Sequence, residues 1–67
     1  MMTIVTLEVT NKSTGVATLN VVNTIAEAKR LAVRLAGYAG WLDFTRIEQH
    51  SRDLRAENSG FVVDILV

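Results

Sequence analysis

A chain of 67 residues with seven basic and seven acidic side chains, no cysteine and no proline is one small domain without disulfides, thiolate chemistry or cysteine metal sites. Its balanced charge supplies no positive field for nucleic acid, so a protein or a small molecule is the expected partner. No apolar run nears the ~20 residues needed to span a bilayer, and no basic segment precedes the apolar stretch Met1–Val9. Neither a membrane span nor a signal peptide is therefore expected, and the cytoplasm is the expected compartment. A domain this short buries only about 60% of the surface its unfolded chain exposes, a thin margin that a partner or a second copy would reinforce.

The first element, Met2–Thr10, is rich in β-branched residues and alternates, with Val5, Leu7 and Val9 on one side and Ile4, Thr6 and Glu8 on the other, which predicts a strand. Asn11–Gly15 is turn chemistry at hairpin length. Val16–Val22 predicts a second strand, with Ala17, Leu19 and Val21 facing the core and Thr18 and Asn20 facing away.

A helix over about 24–37 follows. Thr24 is its expected N-cap, and Glu27 three residues later completes a capping box. Ile25, Ala28, Leu31, Ala32 and Leu35 recur at the spacing of one helical face, and Gly37 or Gly40 is available for a left-handed C-terminal conformation.

Trp41–His50 resumes the two-residue period with Leu42 and Phe44 and then breaks phase at Ile47, so that either a bulge sits near Thr45 and Arg46 or Ile47 lies on the opposite face. Ser51–Gly60, the most polar stretch, is expected to be a connecting loop, with room for one helical turn capped by Ser51. Phe61–Val67 predicts a final strand, with Phe61, Val63, Ile65 and Val67 against Val62, Asp64 and Leu66.

The expected architecture is α+β in ββαββ order: a four-stranded antiparallel sheet, strand order 2-1-3-4, with one helix on one face. A single helix covers only one side of such a sheet. The other side would carry Ile4, Val22, Val62, Leu66 and, in one of the two phases, Ile47, among Thr6, Thr18, Asn20, Thr45 and Asp64. That is more apolar than an open antiparallel face should be, and it points to an interface with another protein or with a second copy, through the open face or an edge strand.

Catalytic chemistry finds no foothold. His50 is the only histidine, the carboxylates are dispersed, the serines lie in polar turns, and the glycines do not form a phosphate-binding fingerprint. The expectation is a non-enzymatic module without a cofactor. Tyr38 and Trp41 flank the turn that follows the helix, where an aromatic either seals the end of the core, the expected role, or stacks on a ligand.

The β-hairpin, the helix opened by Thr24 and carrying Glu27-Ala28, the glycine-containing turn and the strand Leu42-Asp43-Phe44-Thr45-Arg46-Ile47 together resemble the family of small T7-type phage proteins that inhibit bacterial RNA polymerase. The likeness covers roughly Val16–Glu48. It implies a phage or mobile-element protein that binds a bacterial host complex, such as the polymerase or a defence complex, with Arg46 at the position of a polymerase-contacting arginine. The family's second arginine falls at Glu48, a charge reversal, and the chain extends by a loop and a strand that the family lacks. A weaker likeness is to dodecins, small self-assembling flavin-binding proteins. There a tryptophan that leads the strand after the helix stacks on the flavin, which implies a ligand role for Trp41. Dodecins pass directly from their first strand to the helix, whereas this chain inserts Val16–Val22. The residues singled out for partner binding are thus Arg46, Ile4, Ile47, Val62 and Leu66.

Overall fold

The computed structural model describes residues 4–46 and 54–66. Its elements are β1 (Val5–Asn11), β2 (Ala17–Val22), helix α1 (Ile25–Ala36), a short 3-10 turn (Gly37–Ala39), β3 (Thr45–Arg46), β4 (Leu54–Glu57) and β5 (Phe61–Leu66). They form one antiparallel sheet in the order β2-β1-β5-β4-β3, with α1 packed on one face. The α+β class is as expected, but the sheet has five strands where four were expected.

Strand order differs because the most apolar strand takes the central place. Val5, Leu7 and Val9 of β1 and Phe61, Val63 and Ile65 of β5 all point at the helix and are buried. Pairing these two strands, with Leu7 opposite Ile65 and Val9 opposite Val63, brings the whole set under α1. The segment after the helix, expected beside β1, contributes only Thr45–Arg46 at the far edge. Trp41–Phe44 is not strand, although Leu42 is buried and Phe44 packs on the core. The polar stretch expected to be a loop supplies β4, whose Leu54 and Ala56 face inward while Arg55 and Glu57 face out.

The phase of β2 is the reverse of the expected one. Val5 pairs with Val22, Leu7 with Asn20 and Val9 with Thr18, and directly paired residues share a face. Turn geometry decides this. The Asn11 amide donates to the Val16 carbonyl at 2.9 Å across a turn in which the Asn11 side chain accepts from Ser13 and Thr14, and Gly15 adopts φ +75°. Val22 therefore packs against the core, and Leu19 and Val21 are exposed on the opposite face. The cost is small because α1 lies chiefly over β1 and β5.

Thr24 caps α1 as expected: in extended conformation, its hydroxyl accepts from the Glu27 amide at 3.1 Å. The buried seam of the helix is Ala28, Ala32 and Ala36, small side chains at four-residue spacing that let the backbone approach the sheet closely. Leu31 flanks the seam, while Ile25 and Leu35, expected at its centre, remain partly exposed. Gly37 keeps right-handed geometry and continues into the 3-10 turn, whereas Gly40 adopts φ +142°.

The helix C-terminus is fastened by Asn58 in the β4–β5 turn. Its side-chain amide donates to the carbonyls of Ala36 and Gly40 at 2.9 and 3.0 Å, and its side-chain carbonyl accepts from the amides of Gly60 and Phe61, both at 2.9 Å. Ser59 adds a hydroxyl bond to the Ala39 carbonyl. Both donors and both lone pairs of one asparagine are thus engaged. At Gly60 the contact is close, since a Cβ there would lie 3.0 Å from that of Ala39 and would press the turn against the helix end.

Candidate interaction surface

Among the described residues no element covers the face of the sheet opposite α1, and the register arranges that face in rows. Val21, Thr6 and Leu66 lie side by side across β2, β1 and β5. Leu19, Glu8, Asp64, Arg55 and Thr45 form the next row, and Ala17, Thr10, Val62 and Glu57 the third. Val21 is 69% exposed, Leu19 65% and Leu66 41%, with exposed Ile4 just before β1. Apolar side chains thus stand at both ends of the first row and at the β2 end of the second, beside a polar middle.

Asp64 in the second row is only 9% exposed, which a carboxylate tolerates only when paired. Arg55 supplies the pair, its Nε donating to Oδ1 at 2.8 Å across β4 and β5. The hydrogen bond to Asp64, then its charge, holds the Arg55 guanidinium above its ordinary pKa. At the end of the sheet Lys12 forms an ion pair with Glu57 and donates to the Asn58 carbonyl at 2.8 Å, and Lys12 lowers the Glu57 carboxyl below its ordinary value.

The sequence-predicted residues divide between two faces. Val62, half-buried, and Leu66 lie on the open face as expected, and Ile4 is exposed at its border. Ile47 lies outside the described residues, as do His50 and Glu48. Arg46 pairs with Leu54, which pairs with Ile65, so it projects from the helix-bearing side of the sheet and is exposed there. It does not share a surface with Val62 and Leu66. Val22, Thr18 and Asn20, expected on the open face, belong to the helix side, and Leu19 and Val21, expected in the core, take their place.

Trp41 does not seal the core: it is 86% exposed. Tyr38 is also largely exposed, though it meets Phe61 edge-on at 5.5 Å, and Leu42 is the residue buried at this end. Trp41, Tyr38, Val33, Leu42, Gly37 and Gly40 line an open cleft of about 260 Å³. Lys29 lies over the Phe44 ring at 5.9 Å, close enough for a cation–π contact.

Among the described residues no group of three or more histidines, cysteines or carboxylates converges on a metal position, and no helix is long and apolar enough to cross a membrane. Comparison of the chain with models of known protein families, with curated proteins and with solved structures finds no match.

Proposed function

We propose that the chain is a small non-enzymatic protein-binding module that docks its partner on the sheet face opposite α1. The observation that carries this reading is the exposure of Leu19, Val21, Leu66 and Ile4 beside a satisfied ion pair on a sheet face that no described element covers. Clustered exposed apolar side chains mark interaction sites on small proteins, whereas scattered single ones do not. The likeness of Val16–Glu48 to phage inhibitors directs the search for the occupant to bacterial host complexes, RNA polymerase first among them. Wild-type chain and the Leu66→Asp variant, immobilised side by side and exposed to bacterial lysate and to purified polymerase, test the proposal. A partner retained by the wild type and lost by a Leu66→Asp variant of unchanged far-UV circular dichroism supports it; equal capture by both sinks it.

A second reading rests on Trp41, whose exposure beside an apolar cleft suits stacking on a flat aromatic ligand such as a flavin in a dodecin-like assembly. As the only tryptophan, it reports directly: flavin mononucleotide should quench its fluorescence saturably, and a merely linear decrease would remove this reading.

A further inference from the structure

Strand β2 is an edge of the sheet, and its sequence leaves that edge unguarded. Natural edges commonly carry lysine, proline or a bulge that discourages pairing. Ala17–Val22 reads ATLNVV, without charge or proline, and pairs with β1 in unbroken register. The bond from the Asn11 amide to the Val16 carbonyl fixes the parity of the hairpin. Because bonded pairs alternate in an antiparallel ladder, Val16, Thr18, Asn20 and Val22 bond inward to β1, and Ala17, Leu19 and Val21 turn their N–H and C=O groups outward.

The chemistry of this strand is symmetric about Leu19: Thr18 balances Asn20, Ala17 balances Val21, and Val16 balances Val22. We infer that a second copy of this chain pairs antiparallel with β2 about a two-fold axis at Leu19, continuing the sheet from one copy into the other. Leu19 then meets Leu19 of the second copy, Ala17 meets Val21, Thr18 meets Asn20 and Val16 meets Val22. Apolar side chains face apolar ones and polar face polar, as a self-complementary interface requires. Parity agrees independently, since the outward residues Ala17, Leu19 and Val21 meet outward residues and exchange both backbone bonds. A one-residue shift would set Leu19 against Asn20 and place the two helices on opposite faces. A shift to an Asn20-centred register would set Thr18 against Val22. The Leu19 register therefore fits best, and it sets the exposed Leu19 beside its own copy and the exposed Val21 beside Ala17 of the second copy. This edge is distinct from the open face as a binding mode, so the two are tested separately.

The absence of cysteine makes single cysteines reporters of register. Bonded antiparallel pairs have Cα atoms about 5.5 Å apart, within disulfide reach. Leu19→Cys, mildly oxidised in dilute solution, is expected to form a covalent dimer, and Thr18→Cys, which faces Asn20 of the second copy, to remain largely monomeric. In sedimentation the wild-type chain is expected to dimerise with concentration. Leu19→Lys, which sets like charges together at the axis, is expected to raise the dissociation constant about tenfold or more with unchanged circular dichroism. The inference is overturned by a wild-type chain that sediments as a monomer throughout, by Thr18→Cys cross-linking as fast as Leu19→Cys, or by a dimer that Leu66→Asp dissolves and Leu19→Lys leaves intact.

Discussion

The Asn58 side-chain amide donates to the Ala36 carbonyl at 2.9 Å, tying the β4–β5 turn to the last turn of α1 across 22 positions of sequence. Carbonyls at a helix end have no intrahelical donor, so this bond satisfies a group that would otherwise need water or another cap. Asn58→Ala removes it together with the bonds to Gly40, Gly60 and Phe61. The expected loss is about 2–3 kcal/mol in urea unfolding, since each net bond is worth about 1 kcal/mol and part of the network can rehydrate. Asn58→Asp is expected to destabilise as well, because it replaces the donor with a negative charge beside the C-terminal carbonyls. Stability unchanged in both variants would show that the turn is not fastened to the helix.

Thr24→Ala should lower stability by about 1 kcal/mol, because the Glu27 amide loses its acceptor at the first helical turn. Thr24→Ser retains the hydroxyl and is expected to keep most of the stability. Thermal melting of the two variants beside wild type checks this, and equal melting of Thr24→Ala and wild type would place the helix start elsewhere.

The pH dependence follows from Glu57. Its carboxyl is lowered in the folded chain by the hydrogen bond and charge of Lys12. A lowered folded pKa means stability that is fully present above the ordinary glutamate value and is lost as pH falls through the lowered one. The pair is solvent-exposed, so the effect is small and weakens with added salt. Lys12→Ala should flatten that part of the acid limb of the stability profile, and an unaltered limb would remove the pair from the account.

The observed phase of β2 separates two substitutions that the expected phase would treat alike. In dilute solution Leu19→Thr, which keeps strand propensity and adds no charge opposite Glu8, should cost under about 0.5 kcal/mol, because the side chain is largely in water. Leu7→Ala should cost about 2–5 kcal/mol, because Leu7 is fully buried between sheet and helix. Comparable losses from the two would return Leu19 to the core.

Much of this was legible in the residues. Thr24 with Glu27 marks the helix start, and the alternation of Val5, Leu7 and Val9 and of Phe61, Val63 and Ile65 identifies the two strands that carry the core. Strand β2 misleads because both of its faces are plausible: Ala17, Leu19 and Val21 look more apolar than Thr18, Asn20 and Val22, and the turn closing Asn11 on Val16 decides against them. Strand β4 is hidden in a polar stretch, with only Leu54 and Ala56 to show its alternation. Strand order is set by which apolar faces α1 can cover together, a long-range condition that local pattern does not contain. On the open face, Val62 and Leu66 follow from the phase of β5, whereas Leu19 and Val21 could have been found only from the length of the hairpin turn. Asn58 carries only the signature of a turn former, and its reach to Ala36 depends on the fold.

The central claim, that the open sheet face is the docking surface, is tested most directly by methyl NMR of the isoleucine-, leucine- and valine-labelled chain titrated with the partner isolated by capture. The methyl groups of Leu19, Val21, Val62 and Leu66 are predicted to shift or broaden together, while Val33, exposed on the outer side of α1, stays unperturbed. Perturbation centred on Val33 and Leu42, with the sheet methyls unmoved, would contradict the claim and place the site at the cleft beside Trp41.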